Sequence, residues 1–471
     1  MKLGTLTGGE ETATVTGFAI DHRKVAPGTV FGAFQGTRVN GEDFIRDAVK
    51  SGAVAVVARR EAEVEGAVHI PADNPRACFA DLAAQFFAPF PATAVAVTGT
   101  NGKTSTVEMT RQLWRMAGHH AASIGTLGVS TADESVSTGL TTPDVVTFLS
   151  NVAGLAREGV SHVAFEASSH GLSQYRTQGV PVAAAAFTNL SRDHLDYHGD
   201  MAAYFTAKLR LFAEVLSPDG TSVVWVDDPN SDRVIDLARA RGNRLITVGQ
   251  HGETLRLVSR DPTLLGQGLV IEAEGRQHKV NLPLIGAYQA ANALTAAGLV
   301  IATGGDVATT IANLSRLQPV RGRLERAVIA KSGAPVYVDY AHTPDALEAA
   351  IAALKPHVAG RLIVLFGAGG DRDTGKREPM GQVAAAGADM VIVTDDNPRS
   401  EDPATIRREI MKGAPGAVEI DGRRAAIAAA IAEAGPDDIV LLAGKGHEQG
   451  QIIGDMVLPF DDVSVAREAA A

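Results

Sequence analysis

The stretch AVAVTGTNGKTSTVEMTRQLW, residues 94–114, decides the fold. Its small apolar residues predict a buried strand that runs into Gly99-Thr100-Asn101-Gly102-Lys103-Thr104-Ser105 and then into an amphipathic helix. Glycines let backbone N–H groups wrap phosphate oxygens, and the helix N-terminus adds partial positive charge. Lys103 would reach the terminal phosphates of a nucleotide, and the Thr104 hydroxyl would hold Mg²⁺. The commonest loop of this kind carries glycine two positions before Gly99, where this chain has Val97. A ligand-free glycine turn is the plain alternative, and the strand–loop–helix context favours the nucleotide.

Outward from this loop, PFPATAVAVTGT marks a break at Pro89 and Pro91, and LQPVRGRLE marks another at Pro319 and Gly322. Before the first break, short apolar runs (TVFGAF, AVAVVA) flank a helix expected at Glu42–Ser51. After the second, PVYVDYAH, RLIVLFGAGG, DMVIVTDDNPR and DIVLLAGKGHE each read as a strand ending in a polar or glycine-rich loop. Thr343-Pro344 and Asp402-Pro403 open helices between them. Strands alternating with helices predict a mostly parallel sheet covered on both faces, with ligands beyond the carboxyl ends of the strands. GAGGDRD, DDNPR and AGKGHE lie at those ends. At about 150 residues per domain, 471 residues make roughly three. The expected boundaries are 1–90, 91–318 and 319–471, all of α/β class.

A net charge of −11 argues against a chain that coats nucleic acid, which needs a basic face. With 45% hydrophobic residues the chain is too apolar for disorder. The single cysteine, Cys78, excludes internal disulfides and reads as a small apolar residue. No secretory signal is read in MKLGTLTGGEE. The longest uncharged stretch, residues 281–305, contains Pro283, Gln289 and Asn292, so a packed helix is expected rather than a membrane span. A cytoplasmic protein without membrane insertion follows as the expectation.

HVAFEASSHGLSQYR (162–176) ends a strand at Glu166, and TNLSRDHLDYHGDMAAYFTAKLRLF (188–212) adds His194, Asp196 and Lys208. A carboxylate and an imidazole suit a divalent ion that bridges nucleotide phosphates. Each residue alone has a plainer reading: histidine in a turn, lysine on a solvated helix face.

The motifs GTNGKT, EASSHGL, DHLDYH, KLRLF, GRLE, DYAHTPDAL, GAGGDRD, DNPR and GKGHE occur in this order along nearly the whole chain. In this the chain resembles the Mur ligases of peptidoglycan synthesis. The resemblance implies a small UDP-binding α/β domain, a central P-loop ATPase domain with a parallel sheet, and a Rossmann-like C-terminal domain. It implies ATP-driven addition of meso-diaminopimelate to UDP-N-acetylmuramoyl-L-alanyl-D-glutamate through an acyl phosphate. Addition of lysine, or a nucleotide-driven regulatory protein that forms no bond, are the alternatives.

By the same resemblance, Lys208 carries a CO2-derived carbamate, which turns a repelling ammonium into an anionic ligand. Glu166, His194 and carbamylated Lys208 would surround a second Mg²⁺, while Thr104 serves the nucleotide-bound one. Asn292, Arg323 and His342 match further ATP-contact positions, and Gln289 replaces an asparagine. Ile20, Thr141, Thr142, Ser168, Gln174 and Arg176 match positions for the UDP-sugar peptide, with His22 where the family commonly has serine. GTRVNG matches a neighbouring segment. Arg372, Asp396, Asn397, Pro398, Arg399, Gly444 and Glu448 match the diaminopimelate positions, where Arg399 would fork onto the distal carboxylate and Asp396 or Glu448 would take its ammonium. Alone, Thr141-Thr142-Pro143 reads as a turn and DNPR as a loop with a surface arginine.

Overall fold

The structure is a computed structural model that describes all residues except 37–38, 132–134 and 137–138. The chain divides into two compact units, residues 1–248 with 298–305 and residues 249–297 with 306–471.

The first unit opens with four parallel strands in sequential order, Gly17–Ala19, Thr29–Gly32, Ala53–Ala58 and Val68–Pro71. Its larger sheet places the parallel strands Leu216–Trp225, Val182–Phe187, Thr93–Thr98, His162–Glu166 and Ala121–Gly125 side by side in that order. These strands consist largely of buried Ala, Val and Phe, as strands covered on both faces must. The order matters for chemistry. Four neighbouring strands end at Phe187, Thr98, Glu166 and Gly125, so Thr188, Gly99, Glu166 and Thr126 meet at one edge of the sheet. The helix Lys103–Met116 follows the expected loop and buries Val107, Met109, Leu113 and Trp114.

In the second unit, six strands run in the order Glu325–Ile329, Pro335–Asp339, Ile439–Ala443, Leu362–Phe366, Met390–Val393 and Val418–Glu419. Only the first pairs antiparallel, so the expected mostly parallel sheet is observed. Helices Pro344–Leu354, Arg377–Gly387, Pro403–Met411 and Arg423–Glu433 lie between the strands. Thr343 caps the first and Asp402 the third, each with proline in the first turn as anticipated. Asp462–Ala470 is the last helix. Arg423 and Asp462, both wholly buried, are joined by two hydrogen bonds of 2.7 and 2.6 Å. Three antiparallel strands, Leu255–Thr263, Gly266–Ala273 and Arg276–Leu282, and a hairpin of Gly450–Ile453 with Met456–Pro459 were not anticipated. The uncharged stretch forms the helix Ala287–Ala302, and among the described residues no helix is long and apolar enough to cross a membrane.

Candidate active site

Gly99 adopts φ +152°, and a Cβ there would lie 1.9 Å from the Thr188 hydroxyl, so only glycine fits this turn. The loop is anchored from the neighbouring strand: Thr188 Oγ1 donates to Asn101 O (2.6 Å), and Asn101 N donates to Asn189 Oδ1 (2.9 Å). Thr100 exchanges hydrogen bonds with the Ser191 backbone. Val97, at the position where many loops have glycine, is a buried strand residue. The sharp turn therefore begins two residues later.

Two lysines converge on this loop. Lys103 Nζ donates to Gly99 O (3.0 Å) and Thr100 O (2.9 Å), and Lys208 Nζ donates to the same Gly99 O at 2.7 Å. Lys208 is 1% exposed, which corrects the reading of it as a solvated face. Its amine lies 4.3 Å from the centre of the Tyr204 ring. Burial, reinforced by the charge of Lys103, pushes its pKa well below the ordinary lysine range.

A second network surrounds Glu166. Its buried carboxylate accepts from Thr126 N (2.7 Å) and the Thr126 hydroxyl (3.4 Å). That hydroxyl also meets Thr141 Oγ1 (3.0 Å) and Thr104 Oγ1 (3.4 Å). Thr142 Oγ1 donates to Glu166 O and accepts from Ser168 N, while Ser168 Oγ caps the helix Ser169–Ser173. Arg176 donates to Thr142 O (2.8 Å) and to Gln174 Oε1, and Gln174 donates to Tyr197 OH. Thr104, Thr141, Thr142, Glu166, Ser168, Gln174 and Arg176 thus form one connected set, and Thr141-Thr142 is more than a turn.

His194 stands apart from that set. Its side chain is 48% exposed, 3.4 Å from Asp193, in a left-handed backbone conformation. Its ring packs edge-on to His170 at 4.8 Å. Burial holds His170 at a pKa of about 4. Among the described residues, no group of three or more His, Cys, Asp or Glu side chains is placed to hold a metal. In the N-terminal segment His22 stacks face to face on Phe44 (4.4 Å, 5°), beside exposed Ile20. Of GTRVNG, Thr37 and Arg38 lie outside the described residues. Half-buried Arg76 lies 4.8 Å over the Phe34 ring, and burial, with repulsion from Arg176, lowers its pKa.

In the second unit Gln289 Nε2 donates to Arg323 O (2.8 Å), and Asn292 Nδ2 to Gln289 Oε1 (3.3 Å). Asp339 accepts from Leu324 N and Ala341 N, tying GRLE to DYAH. Arg323 lies 5.0 Å from the centre of the Tyr340 ring, and His342 Nδ1 donates to Tyr340 O (2.8 Å). Burial lowers the His342 pKa.

The loops DNPR and GKGHE meet in the same unit. Asn397 Nδ2 donates to Glu448 Oε2 (2.9 Å), and Lys445 Nζ donates to Asn397 Oδ1 (3.1 Å) and Glu448 Oε2 (3.3 Å). Arg399 has φ +52°, and its guanidinium donates to Gly370 O (2.7 Å). Its backbone is pinned to the exposed hairpin through Ile452 O (3.0 Å) and Gly454 N (2.8 Å). Arg372 is exposed, following Pro398-facing Gly370 by two residues. Sequence reasoning missed Thr126, Tyr204, Arg76 and Lys445. Only Lys445, a lone lysine inside AGKGHE, had a local signal.

Fold and loop define a phosphate-loop, nucleotide-binding α/β protein with a second parallel sheet that carries polar loops at its carboxyl edge. Family models match three successive segments: "Mur ligase family, catalytic domain" at residues 14–87, "Mur ligase middle domain" at 97–300, and "Mur ligase, glutamate ligase domain" at 322–446. The chain belongs to the Mur ligase family and has its three-domain architecture. It is 61% identical to the UDP-N-acetylmuramoyl-L-alanyl-D-glutamate–2,6-diaminopimelate ligase of Zymomonas mobilis, covering 99% of this chain and 98% of that one. Its identity to the Bradyrhizobium diazoefficiens ligase of the same name is 50%, over 97% and 95%. A solved diaminopimelate ligase superposes with TM-score 0.76 at 33% identity, covering 100% and 98%. The Thermotoga maritima MurF ligase in complex with ADP shares the fold (TM-score 0.60, 20% identity, 97% of each chain). Mur ligases are ATP-dependent.

Proposed function

We propose that this chain is an ATP-dependent amide ligase that adds meso-2,6-diaminopimelate to UDP-N-acetylmuramoyl-L-alanyl-D-glutamate. What supports this reading is the match to diaminopimelate ligases over nearly the whole chain, together with a phosphate loop on whose Gly99 carbonyl Lys103 and Lys208 meet. A carboxylate is a poor electrophile, so ATP first phosphorylates the γ-carboxylate of D-glutamate, and the amine then attacks the acyl phosphate. Gly99 to Ser105 hold the ATP phosphates, and Lys103 neutralises the transferring phosphoryl group; Asn292, Arg323 and His342 are the further ATP-contact positions that the resemblance implies. Ile20, His22, Thr141, Thr142, Ser168, Gln174 and Arg176 bind the UDP-sugar peptide. Arg372, Asp396, Asn397, Pro398, Arg399, Gly444 and Glu448 bind diaminopimelate. The domains run 1–90, 91–318 and 319–471, and ATP and a UDP-sugar as substrates place the enzyme in the cytoplasm.

Mg²⁺ suits the residue types present, because the Thr104 hydroxyl for the nucleotide-bound ion and the buried Glu166 carboxylate for the second are oxygen donors of the kind a hard cation takes. When bound, it screens the phosphate charges. A carbamate also fits: CO2 adds to a neutral amine, and buried Lys208 is held towards that form. Glu166, His194 and modified Lys208 would hold the second ion, and His194 must turn inward to join them. Placing ¹⁸O in the γ-carboxylate tests the reaction. The label should appear in inorganic phosphate, with diaminopimelate but not lysine in the product. Unlabelled phosphate would remove the acyl-phosphate route.

A further inference from the structure

We propose that Lys445 is a positioning residue of the amino-acid site, whose ammonium neutralises one of two adjacent carboxylates and fixes the aim of both. This rests on the reading that Asp396 and Glu448 receive diaminopimelate. Lys445 has no exposed surface, and a buried ammonium is stable only beside counter-charge. It has two such neighbours, Glu448 Oε2 at 3.3 Å and Asp396 Oδ1 at 3.8 Å. The three charges sum to one negative, which matches one incoming ammonium. Nearby Arg423 is already paired with Asp462. The Arg399 guanidinium is directed to Gly370 O.

Hydrogen bonds make the arrangement directional. Asn397 Oδ1 accepts from both Lys445 Nζ (3.1 Å) and Ile452 N (2.9 Å), so the amide cannot rotate without losing both. Its Nδ2 then donates to Glu448 Oε2, the oxygen that Lys445 also holds. One carboxylate oxygen therefore takes two donors, and Glu448 is locked in orientation. Gly444 completes the device: at φ +111°, its missing Cβ would lie 2.7 Å from Asp396 Oδ2. A methionine of similar length would fill the same space but take from both carboxylates the ammonium they face. Lys376, His342, Tyr340 and Arg423 also act electrostatically on Asp396, and Tyr340 and Arg423 on Glu448 as well.

The test compares Lys445→Met, Glu448→Gln and the double variant of the full-length enzyme with ATP, UDP-dipeptide and diaminopimelate. Lys445→Met should raise KM for diaminopimelate at least tenfold and leave KM for ATP within twofold. The effect of the double variant should fall short of the product of the two single effects, because part of the action of Lys445 passes through the Glu448 carboxylate. The double variant should also melt at a higher temperature than Lys445→Met, since one of the two carboxylates that lost their ammonium is gone. An unchanged diaminopimelate KM, effects that multiply in the double variant, or equal rises in both KM values would overturn the proposal. Should Lys445→Met fail to fold, the double variant is expected to fold, and its failure counts against the charge pairing. If the wild-type enzyme makes no product with diaminopimelate, the parent reading falls, while the melting comparison still decides the pairing.

Discussion

Lys208 and Arg399 carry the two most separable consequences at the scale of single residues. The Lys208 amine shares a carbonyl with Lys103 and is held towards its neutral form. Lys208→Ala should lower kcat by about a hundredfold or more, a loss typical when a preorganised charged group leaves an active site, and added bicarbonate should restore nothing. Wild-type turnover would remove Lys208 from the chemistry. Arg399→Ala should raise KM for diaminopimelate by about thirtyfold or more, the cost of truncating one partner of a desolvated charge pair, with ATP binding unchanged by calorimetry. Both residues were singled out through motifs; their surroundings were not. Helical periodicity assigns Lys208 a face but no depth; Tyr204 lies one turn earlier on the same helix, and the depth comes from the Gly99 carbonyl, brought in by a distant segment. Lys445 escaped for the same reason, because a lysine beside glycines says nothing about burial until Asn397 arrives 48 residues away in sequence.

Among elements, the strand His162–Glu166 links stability to chemistry. Its last residue is the Glu166 carboxylate. Its first, His162, is buried against Trp114 and His119, and burial followed by repulsion from His119 lowers its pKa to about 4. The folded state thus binds this proton less readily than the unfolded chain, whose histidine titrates near 6.5. Stability from this residue is present above pH 6.5 and is lost as pH falls from 6.5 towards 4. The melting temperature should drop over that window, and His162→Gln should flatten the drop; an unaltered slope would assign it to other groups. Elements with strong punctuation were legible: Thr343-Pro344, Asp402-Pro403 and the apolar runs before GAGG, DDNPR and AGKG. The strands from 255 to 282 were not, because Arg260-Asp261-Pro262 in the first and Gly266 and Gly268 in the second break the alternation that marks a strand.

For the molecule as a whole, stability of the second unit depends on a contact far apart in sequence. Arg423 and Asp462 are fully buried and doubly bonded. Arg423→Met would leave the Asp462 carboxylate buried without its cation, at a cost of about 3–5 kcal/mol. Urea titration should register that loss, whereas Arg424→Ala next to it, whose partner Glu468 is exposed, should shift the midpoint little. The three-domain plan was visible from two proline breaks and from the change of pattern after Gly322. What the breaks could not give was the partition into compact units, since segments 249–297 and 298–305 fall into different ones.

The Arg423–Asp462 pair also has a bearing on biosynthesis. Arg423 precedes Asp462 by 39 residues, so a nascent chain holds this cation without its hydrogen-bonded acid while most of the sheet is already translated. Completion of this unit must therefore wait until translation reaches the final helix, and nascent chains stalled before residue 462 should remain protease-sensitive and bound by chaperones.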